Sequence, residues 1–375
     1  MKQIMFSFAA IACLTVFTFY HKEGVSGSTG QEEVKSVVTN NIRLVFAGDV
    51  MGHSTQITGA WRDGGDSCYN YIPNFQWVKD YIASADIAVA NFEVTLAGEP
   101  YTGYPAFSSP NSLAEALQDA GFDLFVTANN HIMDLGTKGL GRTIDVLDNL
   151  GITHTGSFKD STRWKTSYPL IVEKNGFRLA FLNYTYGTNM SAAKPPFIVN
   201  NIDTLRMAAD LAKARALEAD YIITFLHWGD EYQKKENQTQ RQLAGFLANQ
   251  GCNLIVGAHP HVVQPVRKIA PDSADCDSAL VAYSLGNFIS NQQWRYSDGG
   301  IMLEVSLTKT DGVVSLDSWN YEPVWVYRYP DNGVQVYRLI PVLDYLSNPE
   351  RYPEMKINDE KKLIQFYNDT KGVVN

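Results

Sequence analysis

Residues 253–262, Asn-Leu-Ile-Val-Gly-Ala-His-Pro-His-Val, place two histidines just beyond an apolar run of strand length. Pro260 between them favours extended backbone, and in an extended segment positions i and i+2 face the same way. His259 and His261 are therefore expected to reach one centre from the end of one buried strand. Imidazole is the commonest metal ligand; a pair of hydrogen-bonded loop histidines is the plain structural alternative. The pattern recurs along the chain. The run Ile42–Ala47 ends in Gly48-Asp49 with His53 close behind, Asp86–Ala90 leads into Asn91 and Glu93, Asp123–Thr127 into Asn130 and His131, and Tyr221–Leu226 into His227. Of the 7 histidines only His21 and His154 lie elsewhere. Packing gives no reason for such concentration, whereas a centre built from imidazoles, carboxylates and an amide oxygen does.

Between these runs the apolar spacing turns helical, over Ile72–Ala83, Ser112–Ala120, Thr137–Leu150, Ile202–Ala219 and Gln238–Gln250, with glycine closing several of them. Strand–loop–helix alternation predicts an α/β fold with largely parallel strands, and ligands in such sheets bind beyond the strand ends. After Gly300 the pattern becomes β-rich, with Met302–Leu307 and Val324–Tyr327 as expected strands. The expected organisation is an N-terminal segment over 1–23, a polar spacer over 24–40, one domain over 41–345 and a C-terminal extension over 346–375.

Ile4–Tyr20 is almost wholly apolar and flanked by Lys2 and Lys22, which predicts a signal peptide or membrane anchor and an exported protein. The chain carries a net charge of −9 with a pI near 5.3 and shows no basic stripe. Nucleic acid is therefore not expected as a partner. The 4 cysteines show no Cys-x-x-Cys spacing. Cys252 reads as a buried apolar residue, and Cys68 and Cys276 as a pair free to join in an oxidising compartment.

Taken in order, Gly48-Asp49-Val50-Met51, Asn91-Phe92-Glu93-Val94, Ala128-Asn129-Asn130-His131 with Asp134 and Gly136, Leu226-His227-Trp228-Gly229, Gly257–Val262 and Ser284-Leu285-Gly286-Asn287-Phe288 resemble the bacterial capsule-synthesis CapA family, also called poly-γ-glutamate synthesis proteins. The resemblance runs from about Ile42 to Asn291. That family is similar to the calcineurin-like metallophosphatases, which implies a four-layer α/β/β/α sandwich of the metallo-dependent phosphatase type. Carried over residue by residue, it implies Asp49 as the first-strand ligand, with His53 substituting for a companion histidine whose place Met51 takes. Glu93 stands at the bridging position, Asn130 is an amide-oxygen ligand, and His227, His259 and His261 are the late ligands. His131 becomes a catalytic residue that does not bind metal, with Asp134 orienting it.

The implied cofactor is one or two divalent ions (Mn, Zn or Fe), and the implied chemistry is hydrolysis of a phosphoester by metal-activated water. Asn91, Tyr184, Trp228, Glu231 and Asn287 are expected to line the substrate pocket, and Arg142 either contacts substrate or lies on a helix surface. The implied setting is envelope-polymer biosynthesis, with an anionic polymer or phosphorylated substrate and membrane-bound polymer synthase subunits as partners. Two other readings stand beside this one: a non-catalytic polymer-binding or scaffold subunit, and a metal-dependent amide hydrolase.

Overall fold

The computed structural model describes residues 38–272 and 278–374. The apolar run Ile4–Tyr20 and Cys276 fall outside them, and with them the expected anchor and the Cys68–Cys276 pairing. Sixteen strands follow one another among the described residues: β1 (Thr39–Val50), β2 (Ile87–Phe92), β3 (Leu124–Val126), β4 (Thr153–Thr155), β5 (Ser157–Phe158), β6 (Leu170–Lys174), β7 (Phe177–Thr185), β8 (Ile198–Val199), β9 (Tyr221–His227), β10 (Leu254–Ala258), β11 (Val266–Ile269), β12 (Ala279–Ala282), β13 (Asn287–Ile289), β14 (Gly299–Thr310), β15 (Val313–Asp331) and β16 (Val334–Pro341). One sheet runs β16-β15-β14-β1-β2-β3-β4 with β13 against β1; the second runs β11-β12-β10-β9-β7-β6. β1 to β4 are mutually parallel, as are β7, β9, β10 and β12, while β14 to β16 form an antiparallel meander.

Side-chain alternation along the strands sorts the core into layers. Leu44, Phe46, Ile87 and Val89 of the first sheet meet Leu179, Phe181, Ile223, Phe225, Leu254 and Val256 of the second in one apolar seam. The opposite face of the first sheet (Val45, Ala47, Ala88, Ala90) packs on Leu113, Leu117 and Leu147 of its covering helices. The opposite face of the second (Ala180, Leu182, Ile222, Ile255) packs on Met207, Leu211, Leu243 and Leu247. The order is helices, sheet, sheet, helices, the four-layer α/β/β/α sandwich expected.

One element differs from expectation. The helix predicted over Ile72–Ala83 is two short ones, Ile72–Phe75 and Lys79–Ala83. The turn between them lets Phe75 stack on Phe288 with ring centroids 6.0 Å apart while Trp77 packs on Tyr352. The C-terminal stretch carries helix Ile357–Val374, whose Leu363 and Phe366 bury against Trp325 and Tyr327. Cys252 is buried between the second sheet and its covering helices, as its sequence predicted.

Glu322 of β15 offers a test of the packing. It is only 7% exposed, and its Oε1 accepts the Leu343 N–H at 2.8 Å. Burial raises its carboxyl from an ordinary 4.5 to about 7, with Asp344 adding to the effect and the Leu343 bond opposing it. A raised carboxyl means that the folded chain holds the proton longer than the unfolded one. Its contribution is therefore complete below about 4.5 and is lost as pH climbs toward 7. Glu322→Gln keeps the acceptor without the charge. It should be more stable than wild type at pH 8 by about 2 kcal/mol and equal to it at pH 4.5. Urea unfolding at the two pH values measures this, and an equal difference at both would refute it.

Candidate metal centre

β1 aims its aspartate by an irregularity. Up to Ala47 the residues alternate between seam and helix layer, and Val50 again faces the helices. That parity is possible because the β1–β2 register shifts between Ala47 and Asp49, so that Asp49 pairs with Asn91. The extra residue is Gly48, where a Cβ would stand 1.9 Å from the Gly286 carbonyl oxygen. This bulge turns Asp49 into the seam end, as bulges near sites commonly do. On β2 the parity of Ile87 and Val89 continues through Asn91 to Glu93 without help. Asn130 and His131 leave β3, and His227 ends β9 with the parity of Ile223 and Phe225.

His259 and His261 follow β10, but not in extended backbone. Both have positive φ, 96° and 57°. The reading that Pro260 keeps this stretch extended is corrected: two left-handed residues curl it, and the imidazoles still converge, with ring centroids 5.9 Å apart. Non-glycine residues in this region are held there by surroundings and cluster at functional sites. Asn287 is one such brace. It is fully buried, and its Nδ2 donates to the His261 carbonyl oxygen at 3.3 Å and to the Ser297 carbonyl oxygen at 2.8 Å.

The five strand ends meet. His261 Nδ1 lies 2.9 Å from Asp49 Oδ2, and the His259 N–H points at both Asp49 oxygens at 3.3 Å. Asn91 Nδ2 donates to Asp49 Oδ1 at 2.8 Å and to Glu93 Oε2 at 3.2 Å. His227 Nε2 is 2.9 Å from Asn130 Oδ1 and 3.5 Å from Glu93 Oε1. Two wholly buried donor groups result, Glu93–His227–His259 and Asp49–Glu93–His261, each with ligand atoms within 4.8 Å of one another and with Glu93 in common. All five residues are buried. Within them, Glu93 Oε1 and His259 Nδ1 have no hydrogen-bond partner.

The electrostatics match. Burial, and then the neighbouring Asp49, push the Glu93 carboxyl well above its usual range. Burial also opposes ionisation of Asp49, but its contacts with His261 and Asn91 outweigh this and hold it low. Burial drives His227 far below the ordinary imidazole value and His259 down to about 3, the other histidines adding to both shifts. Both imidazoles are thus neutral with lone pairs available, and a pair of carboxyl groups lies beside them. Such a set, with two buried ligand atoms unpartnered, fits a divalent cation.

Other expected site residues stand differently. His131 Nδ1 lies 2.7 Å from Asp134 Oδ2, which also accepts the Phe107 N–H at 2.8 Å, so Asp134 does orient the ring. His53 belongs to neither donor group. It caps helix Ser54–Asp63, its Nδ1 lies 3.0 Å from Gln56 Oε1, and it faces the pocket rather than the donors. Glu231 lines that pocket and comes within reach of His259 and His261. Tyr184 and Trp228 are corrected as pocket residues. They take the opposite strand parity and sit in the outer core, Tyr184 Oη on Asp210 at 3.0 Å and Trp228 Nε1 on the Tyr283 carbonyl at 2.9 Å. Asn91 and Asn287 are buried braces rather than pocket lining. Arg142 holds the Leu96 carbonyl and Asn111, and His154 pairs with Asp148, both structural.

Residues that no motif announced complete the cleft. The Tyr186 ring lies 4.7 Å from His259, Phe107 packs edge-on against His131 at 4.6 Å, and Tyr104, Tyr232, Gln292 and Trp294 line the mouth. The one sequence hint was large aromatics inside polar stretches such as Asn291-Gln292-Gln293-Trp294.

Residues 43–292 match the family of bacterial capsule synthesis proteins PGA_cap. The chain is 27% identical over 312 residues to the PGA biosynthesis protein CapA of Bacillus subtilis (strain 168), covering 80% of this chain and 76% of that one. It is 28% identical over 299 residues to the capsule biosynthesis protein CapA of Bacillus anthracis, covering 76% and 68%. Among solved structures it is similar to the calcineurin-like phosphoesterase YfkN of Bacillus subtilis, at 14% identity and a TM-score of 0.44, covering 76% and 91%.

Proposed function

Since the chain belongs to the PGA_cap family of bacterial capsule synthesis proteins, we propose that its strand-end cleft is a divalent-metal hydrolytic centre, and that the bond it cleaves is a phosphoester met during envelope-polymer synthesis. The observation that carries this reading is the pair of unpartnered buried atoms, Glu93 Oε1 and His259 Nδ1, facing His227 at one end of the seam. Glu93, His227 and His259 would hold one ion, and Asp49, Glu93 and His261 a second. A bound divalent ion supplies Lewis acidity to a phosphoryl oxygen and acidifies water.

The chain's own residues do the rest. Asn91 fixes the two carboxylates relative to one another through its two donated bonds. Asp134 accepts from His131 Nδ1, which leaves Nε2 as the atom presented to substrate; in the imidazolium form that N–H donates to a leaving oxygen. Phe107 shields this pair from water on one side, and Tyr186 covers His227 and His259 on the other.

Export and attachment to membrane-bound synthase subunits belong to the same proposal and rest on the apolar run Ile4–Tyr20. Among the described residues no helix is long and apolar enough to cross a membrane. The testing experiment is metal analysis of the purified protein. His259→Ala should lose at least half of the bound metal while retaining the far-ultraviolet circular dichroism of wild type. Full metal content in that variant would sink the centre as drawn.

A further inference from the structure

Every exposed aromatic side chain among the described residues borders this one cleft. Tyr104 is 72% exposed, Trp294 52%, Tyr186 50% and Tyr232 40%. Exposed rings scattered over a surface ask for no explanation, but rings gathered at one mouth mark a binding surface. Two of the rings also pack on each other. Tyr232 and Trp294 meet with centroids 5.3 Å apart and planes inclined by 68°, and Gln292 Nε2 donates to Tyr232 Oη at 3.2 Å. They form a corner rather than a slot. The pocket they enclose has a volume of about 280 Å³, with no lysine or arginine among its lining residues and Glu231 as its acid.

We propose that the group esterified to the phosphate is a pyranose sugar, whose C–H face packs on Tyr232 and Trp294 while its hydroxyls meet Glu231; this rests on the hydrolytic reading above. Sugar C–H bonds carry partial positive charge and suit the negative face of an aromatic ring, and a carboxylate accepts hydroxyl hydrogen bonds at the ring's edge. Other chemistries fit less well. A polyacid would find cations only at the proposed metal centre and none among the side chains of the mouth. A planar base stacks best between parallel faces, whereas these stand at a steep angle. An acyl chain needs an enclosed apolar channel, and this mouth is polar and open.

The test compares turnover of glucose 1-phosphate and N-acetylglucosamine 1-phosphate with glycerol 3-phosphate and AMP, in wild type and in Trp294→Ala and Tyr232→Ala. The expected result is that wild type favours a hexose phosphate, and that the ratio of its kcat/KM to that of glycerol 3-phosphate falls at least tenfold in each variant. A ratio unchanged by both substitutions, or a wild-type preference for AMP, overturns the sugar assignment while leaving the hydrolytic centre intact. If wild type turns over none of these esters, the hydrolytic reading has failed, and saturation-transfer NMR with maltotetraose and chitotetraose decides the sugar corner alone. Transfer to either saccharide that disappears in Trp294→Ala supports it, and no transfer in wild type overturns it.

Discussion

His131→Ala should lower kcat on a phosphoester by about 10²–10⁴-fold while bound metal stays at the wild-type level. The expectation follows from where the ring stands. His131 is 3% exposed and lines the pocket beside His261, yet it belongs to neither donor group. Its Nδ1 is committed to Asp134, and Asp134 is held in turn by the Phe107 backbone, so Nε2, with only a long 3.5 Å contact to Asn189 Nδ2, is the atom left to exchange a proton with substrate. Removing the imidazole removes that proton and leaves every proposed ligand in place. Asp134→Asn should give a smaller loss, because the ring remains but its tautomer and angle are no longer enforced. Metal analysis alongside steady-state kinetics separates the outcomes. A parallel loss of metal would make His131 a ligand, and an unchanged kcat would remove proton transfer at this residue from the mechanism.

Gly48→Ala should destabilise the protein by about 3 kcal/mol, the upper end of what overpacking typically costs, or prevent soluble folding altogether. An added Cβ would stand 1.9 Å from the Gly286 oxygen, 3.0 Å from the Gly286 carbon and 3.2 Å from Leu285 Cβ. The obstacle is backbone on a neighbouring segment, so no rotamer change relieves it. The Asp49 N–H donates to that same Gly286 carbonyl at 3.0 Å, and pushing the segments apart would carry the Asp49 carboxylate away from His261. Gly187→Ala is the matched control, since a Cβ there meets nothing within 4 Å. Chemical unfolding of both variants reads the difference. A Gly48→Ala protein within 1 kcal/mol of wild type would mean that the bulge is not sterically enforced.

Much of the layered fold was legible because its signals are local. Apolar runs of strand length, glycine closures and polar strand ends appear wherever one looks along the first 290 residues, and they specify alternation and direction. The donors were legible for the same reason: Glu93 and His227 simply continue the parity of the strands that carry them. Parity was also the missed argument. It would have sent Tyr184 and Trp228 to the outer core, since Ala180, Leu182, Ile222 and Leu226 share their face. What the sequence could not show depends on contacts between distant segments. The positive φ of His261 is braced by Asn287 and that of His259 by Asp49, each from a distant segment, and the redirection of Asp49 needs Gly286 as its steric partner. The aromatic corner is non-local too, since Tyr232 and Trp294 follow different strands and carry no motif.

The donor set is divided. Asp49 and Glu93 extend strands of one sheet, while His227, His259 and His261 extend strands of the other. The two sheets face each other through apolar side chains, which fix their separation strongly but resist sliding only weakly, because dispersion contacts have little direction. An ion gripped from both sides would act as a rivet at one edge of that seam, turning two stacked plates into a single stiff body. Substrate recognition and mechanical rigidity would then share one switch, metal occupancy, and a starved protein would lose both at once.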